Sequence, residues 1–223
     1  AQCTRSEAKT LLQKGKVTVN GTLCKKGDTQ LKDSDVVAVE GKPLAYQKFV
    51  YIMLNKPEGV VSASTDKRDT TVVDLLGDAY PRREIFPAGR LDKTSTGFVL
   101  LTDDGVFAHD ILAPKRHVSK TYTVTIDTPL TDEMKAGFAA GVTLADGTAL
   151  SPAEVEALTP DGLTVRVVLK QGVYHQIKRM FGVYDAGVNA LHRDAIGGLT
   201  LDADLAPGQW RELSDDEVAK ITV

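Results

Sequence analysis

Cysteine is nearly missing from this sequence: Cys3 and Cys24 are the only two among 223 residues. Two thiols make no disulfide framework, and such sparing use suits a reducing cytoplasm. The four histidines, His109, His117, His175 and His192, are scattered, and no CxxC or HxxxH spacing exists, so nothing points to a resident metal. No apolar run approaches the roughly 18 residues of a membrane span. No signal-peptide pattern opens the chain. GxxxxGK[ST] and GxSxG are absent too, which removes phosphate-loop enzymes and the α/β-hydrolase elbow. What remains is 42% hydrophobic and 26% charged, an ordinary globular composition long enough for one or two domains.

The net charge of −3 argues weakly against a nucleic-acid partner, but its distribution is uneven. Residues 1–43 hold eight Lys/Arg against five Asp/Glu, an excess of three positive charges, while the remainder is negative by six. Such asymmetry fits a nucleic-acid-binding end, and equally a solvated helix face. In "TRSEAKTLLQKGK" the pair Thr4 and Glu7 forms a capping box, so a helix is expected to start there. Ala8, Leu11 and Leu12 form its apolar face, with Arg5, Lys9 and Lys16 outside that stripe. "VTVNGTL" alternates around Asn20-Gly21, a hairpin signal, and "DVVAVEG" adds a further strand. A boundary is expected after residue 43, with "KPLAYQK" as connector: 1–43 a small module, 44–48 a linker, 49–223 the main domain.

In the main domain strand-like runs follow one another: "FVYIMLNK", "GVVSAS", "GFVLLT", "TYTVTI", "LTVRVVL". Helical stretches fall between and after them: "TTVVDLL", "VFAHDILA", "TDEMKAGFAAG", "VYHQIKRMFGVY", "SDDEVAKI". Without regular βαβ alternation, this predicts an α+β domain, a mixed and mainly antiparallel sheet flanked by helices. No long apolar heptad or sticky edge is visible, so a monomer is expected.

Three clusters carry chemistry. Asp92 lies in the Gly-Arg-Leu-Asp loop before an apolar strand: either an ionised, positioned carboxylate fit for nucleophile or general base, or a loop cap paired with Arg90. "KRHVSKTY" groups Lys115, Arg116, His117 and Lys120 ahead of Tyr122: either phosphate contacts with a stacking ring, or a charged turn before a core tyrosine. On a helix over "VYHQIKRM", Tyr174 and Lys178 stand at i and i+4, as do His175 and Arg179, so Lys178 or Arg179 is within reach of Asp92. The plainer reading is an amphipathic helix with Ile177, Met180 and Phe181 inside. Asp103-Asp104-Gly105 reads as a turn rather than a Mg²⁺ site.

Together these segments resemble pseudouridine synthases of the RsuA and RluA type. "GRLDKTSTGFVLLTDDG" is similar to their catalytic pattern GRLDxxTxGLLLLTxDG, and "SKTY" and "YHQIKRMF" match two further motifs in order. "SEAKTLLQKGKVTVNG" resembles the alpha-L RNA-binding module, whose first helix would lie ahead of Ala1. The tail "LHRDAIGGLTLDADLAPGQWREL" is closer to the RsuA branch, which modifies 16S ribosomal RNA at uridine 516, than to large-subunit relatives with "NRQVRRM".

The resemblance implies that Asp92 attacks the target nucleotide, at ribose C1′ or uracil C6. It implies that Tyr122 stacks on the uracil, that Lys178 pairs with the aspartate, and that Arg90 fills the vacated space or grips the backbone. Leu169 is expected as an apolar wall under the base. Arg5, Lys9, Lys14, Lys16, Lys115, Arg116, Lys120, His175 and Arg179 are expected along the RNA path. The implied partner is 16S RNA in a small-subunit assembly intermediate, with no cofactor, metal or membrane. Three other readings stand beside it: the same chemistry on 23S RNA, a non-catalytic RNA-binding assembly factor, and a Mg²⁺-dependent phosphodiesterase using Asp92, Asp103 and Asp104.

Overall fold

The computed structural model describes residues 3–32, 34–44, 47–113 and 118–222, and the chain forms two compact units, 1–48 and 49–223. In the first, helix α1 (Arg5–Gln13) starts where the capping box sets it. The Thr4 hydroxyl accepts from the Glu7 amide at 3.2 Å, and the Glu7 carboxylate accepts from the Thr4 amide at 2.6 Å. Four short antiparallel strands follow: β1 (Val17–Val19), β2 (Thr22–Leu23), β3 (Val37–Val39) and β4 (Lys42–Pro43), in the order β2-β1-β3-β4. Asn20-Gly21 turns the first hairpin with both φ positive, at 51° and 79°, the geometry that suits right-twisted strands. Glu40-Gly41 repeats that turn at 51° and 78°. The stretch read as connector therefore begins as a strand: Lys42 pairs with Val39 and Pro43 with Ala38.

The second unit is one mixed sheet with helices on both faces. Its strands are β5 (Tyr51–Lys56), β6 (Phe86–Pro87), β7 (Thr96–Thr102), β8 (Lys120–Ile126), β9 (Glu154–Ala157), β10 (Thr164–Leu169), β11 (Val188–Ile196), β12 (Leu199–Thr200) and β13 (Trp210–Glu212). They run in the order β13-β5-β7-β11-β8-β10-β9, with β6 beside β7 and β12 beside β11. The helices are α2 (Gly105–Leu112), α3 (Asp132–Ala140), α4 (Gln176–Gly182) and α5 (Asp215–Ile221). Among the described residues no helix is long and apolar enough to cross a membrane.

Side chains of a strand alternate between faces, so a strand covered on both sides is apolar throughout. β7 shows this: Val99 and Leu101 join the core under α3 and α4, while Phe98 and Leu100 join the core under α2 and α5. β8 alternates strictly instead, burying Lys120, Tyr122, Val124 and Ile126. β7 and β11 make the one parallel strand pairing among the described residues, His192 opposite Thr96 and Arg193 opposite Gly97. That contact is close enough to demand glycine. A Cβ on Gly97 would lie 2.4 Å from the Arg193 carbonyl oxygen, and its φ of 102° disfavours any side chain.

Several elements depart from the sequence pattern. "GVVSAS" forms no strand and contributes a single bridge, Val61 to Thr71. "TTVVDLL" gives a 3₁₀ segment, Asp74–Ala79, broken at Gly77 where φ is 54°. β6, β9, β11, β12 and β13 lie outside the strand runs of the sequence pattern. β11 was hidden because two register shifts and the polar run His192-Arg193-Asp194 interrupt its alternation. The helical reading of "SDDEVAKI" holds: Asp215, Asp216 and Glu217 open α5, with Ser214 as its cap.

Gly97→Ala is expected to lower unfolding free energy by about 3 kcal/mol or more, backbone strain and overpacking acting together. Gly105→Ala, at the start of α2 with open space around it, is expected to be neutral or stabilising by up to about 1 kcal/mol. Urea unfolding of both variants checks the contrast.

Candidate active site

The loop from Ala88 to Ser95 joins β6 to β7 and is pinned on both sides of its aspartate. The Ser62 hydroxyl accepts from the Leu91 amide at 3.0 Å and donates to the Leu91 carbonyl at 2.9 Å. The Lys56 ammonium, fully buried at the end of β5, donates to the carbonyls of Pro57 at 2.9 Å, Lys93 at 3.3 Å and Ser95 at 2.6 Å. The Gly59 amide donates a further hydrogen bond to the Lys93 carbonyl at 2.8 Å. Leu91 points into the core, so the next residue, Asp92, is turned outward with its side chain 29% exposed.

Two residues from the β10–α4 region meet that carboxylate. His175 Nε2 lies 3.3 Å from Asp92 Oδ1. Lys178 Nζ lies 3.5 Å from Asp92 Oδ2 and 3.2 Å from the Thr94 hydroxyl. The expected helix is shorter than its pattern: α4 begins at Gln176, and His175 ahead of it is left-handed, with φ of 50°. Tyr174 and His175 therefore stand ahead of the helix that carries Lys178 and Arg179 rather than on it. The turn brings the imidazole to the carboxylate instead. Gln176 holds the turn, its side-chain oxygen accepting from the Val173 amide at 3.0 Å.

Beneath these polar groups the floor is apolar. Tyr122 on β8 and Leu169 at the end of β10 are both buried, in one cluster with Leu91 and Ile177, the neighbours of Asp92 and Lys178. Of the anticipated residues, Asp92, Lys178 and His175 are thus in direct contact, and Tyr122 and Leu169 sit in the packing below. Arg179 goes elsewhere, to an ion pair with Asp146. Arg90 is exposed and pairs with no acid among the described residues. Arg5, Lys9, Lys14 and Lys16 are exposed on the first unit, Lys16 pairing with Glu40 at 3.4 Å.

One expected RNA contact is corrected. Lys120 is buried with its ammonium donating to the Val118 carbonyl at 3.0 Å, because strict alternation on β8 sends it inward beside Tyr122. Lys115 and Arg116 lie outside the described residues. Asp103 and Asp104 are committed to structure: Asp103 accepts from the Val50 amide at 2.8 Å and pairs with Arg83. Asp104 caps α2, accepting from Val106 and Phe107 at 3.1 and 3.0 Å.

Sequence reasoning missed the buried cations. Lys56 is pushed down to about 8, chiefly by burial, against the opposing pull of the Asp92 and Glu58 charges and with Arg193 adding to the fall. Burial likewise pushes Lys120 down to about 8, with Arg193 adding to the shift. Arg193 donates from Nε to the Phe98 carbonyl at 2.6 Å, and its Nη2 is the only buried side-chain nitrogen without a hydrogen-bond partner among the described residues. A lysine at the end of an apolar strand was the available signal for Lys56.

Comparison with known proteins adds the following. A family model described as RNA pseudouridylate synthase matches residues 50–182, and the S4 domain model matches residues 1–37. The chain is 43% identical over 208 residues to ribosomal small subunit pseudouridine synthase A of Escherichia coli, covering 92% of this chain and 89% of that one. It is 41% identical over 217 residues to the uncharacterized RNA pseudouridine synthase YtzG of Bacillus subtilis, covering 96% and 91%. A solved structure titled as a crystal structure of pseudouridylate synthase superposes with a TM-score of 0.73 at 36% identity, covering 98% of this chain and 94% of that one.

The buried lysines give the fold a pH signature. Their folded values, about 8, lie below the ordinary lysine value near ~10.4. Between these limits the unfolded chain still holds protons that the folded chain has released, so stability rises with pH. Lys120→Met should lose its share, a gain on the order of 1–2 kcal/mol between about pH 7.5 and 9.5. Unfolding curves at both pH values measure it; equal gains in parent and variant would show that Lys120 is not desolvated.

Proposed function

The chain belongs to the RNA pseudouridylate synthase family, and from that premise we propose that it converts a uridine of 16S ribosomal RNA, the one equivalent to position 516, to pseudouridine with Asp92 as attacking group. Pseudouridine synthesis on RNA is the activity of the family; substrate and residue roles are our reading. The observation that carries it is the meeting of Asp92 with Lys178 and His175 above an apolar floor containing Tyr122 and Leu169. The name of the small-subunit relative supports the choice of 16S RNA.

A uracil in folded RNA must first leave its stack, at a cost of a few kcal/mol. Asp92 is part-exposed, so an extruded nucleotide reaches it from solvent, with Lys178 and His175 at its two oxygens. The carboxylate attacks at ribose C1′ or uracil C6, and the bond between N1 and C1′ breaks. Uracil, held between Tyr122 and the Leu169 wall, turns and forms a new bond from C5 to C1′, and the bond to Asp92 breaks, its electron pair returning to the carboxylate. The proton on C5 leaves and N1 gains one. Atoms and electrons balance without oxidant, water or cofactor. Arg90, exposed two residues before Asp92, is placed to grip the backbone or occupy the vacated space. The exposed lysines and arginine of the first unit supply a further positive strip. We place the activity in the cytoplasm, with the protein as a monomer acting on a small-subunit assembly intermediate.

Tritium release from 5-³H-uridine-labelled 16S RNA, free and in assembly intermediates, tests this. The parent protein should release tritium in the presence of EDTA while Asp92→Asn falls to background and still binds RNA. Release from 23S but not 16S RNA would keep the chemistry and overturn the substrate. Binding without release from any of them would favour the assembly factor, and EDTA-sensitive cleavage of the RNA without tritium release the metal-dependent phosphodiesterase.

A further inference from the structure

Tyr174 is 75% exposed, an unusual position for an aromatic ring in a structure that buries most of its large apolar side chains. It is not loose. Its ring lies parallel to that of His175, centroids 3.8 Å apart and planes 19° from one another. One face of the tyrosine is thus covered by imidazole and the other opens to water. The imidazole in turn touches Asp92 at 3.3 Å. Carboxylate, imidazole and phenol form a short stack leading outward from the reacting group.

The backbone holds that stack in place. His175 keeps a left-handed conformation, φ 50° and ψ 34°, uncommon for a residue with a side chain and costly unless its surroundings enforce it. Three hydrogen bonds enforce it: Gln176 amide to Val173 carbonyl at 3.1 Å, Val173 amide to the Gln176 side chain at 3.0 Å, and Arg179 amide to His175 carbonyl at 2.9 Å. Strain kept beside a reactive group is a mark of a functional turn.

We propose that the open face of Tyr174 is a binding subsite for an unpaired nucleobase of the substrate RNA, one flanking the uridine delivered to Asp92. This rests on the reading that Asp92 acts on RNA. Aromatic faces recognise splayed-out bases in single-stranded RNA, and every base offers such a face. The site for the target uracil is separate, since Tyr122 lies in the buried floor and Tyr174 outside it. Lys178 and Arg90, at the same carboxylate and in its loop, supply positive charge for the adjoining phosphates. A nucleobase fits better than a protein partner because the stack starts at the group that acts on RNA.

The test uses the full chain and 5-³H-uridine-labelled 16S RNA with parent, Tyr174→Phe and Tyr174→Ala. Tyr174→Ala should raise KM about tenfold with kcat within about twofold, and Tyr174→Phe should match the parent. Filter binding of the same RNA in an Asp92→Asn background should show the same tenfold loss for Tyr174→Ala, so the subsite is tested even if Asp92 chemistry fails. Because stacking releases no counterions, that loss should be equal at all salt concentrations. Unchanged binding, a changed salt slope, or a fall in kcat shared by Phe and Ala would each overturn the proposal. A loss confined to assembly intermediates and missing on naked RNA would overturn it in favour of a protein partner.

Discussion

A single buried ammonium organises the reactive loop. Lys56 sits at the end of a central strand with no exposure, and its three donors meet three carbonyls, two of them from the loop that carries Asp92. Carbonyl oxygens converging on one point repel each other unless a hydrogen-bond donor lies between them, and the Lys56 amine supplies it. Ser62 fixes Leu91 on the other side. With both flanks held, Asp92 has little freedom of its own, and Lys178 and His175 need only arrive from α4 and the turn before it. In the reaction proposed for it, a preorganised carboxylate of this kind would not have to reorder its surroundings.

How much of this was legible in the sequence depended on whether the signal was local. The capping box at Thr4, the Asn20-Gly21 turn and the apolar run of β7 depend on neighbours a few residues away, and each formed as read. The meeting of Asp92 with Lys178 was legible because both belong to motifs whose resemblance to a family carried long-range information. Lys56 and Arg193 were not legible. A lysine or arginine in a sequence reads as a solvated charge, and only the tertiary contacts that bury it show otherwise. Lys120 failed for a related reason: its neighbours in sequence are basic, but its place on β8 is inward. The start of α4 was misjudged because apolar periodicity continues back to Val173 while the backbone reverses hand at His175.

The first unit contrasts with this. Its helix buries no residue completely, and its four strands are two or three residues long. It presents Arg5, Lys9, Lys14 and Lys16 to solvent on a scaffold held by caps and tight turns. The positive excess of residues 1–43 is thus a surface property of a small module, while the catalytic unit spends several of its cations internally. Net charge over the whole chain, −3, averages over both and describes neither.

The parallel contact between β7 and β11 has a consequence for how the protein comes into being. Thr96 and His192 share a hydrogen bond across 96 residues of chain, and Gly97 and Arg193 lie against each other in the same pairing. Closing so long a loop is entropically costly and must precede the contacts that reward it, so this centre of the sheet is a late event in folding. On a ribosome the N-terminal module and the β5–β7 pair can emerge and collapse while β11 is still being synthesised. The cationic module can therefore be ready to meet RNA before the catalytic half is complete, and the growing chain holds an aspartate loop whose central sheet neighbour does not yet exist.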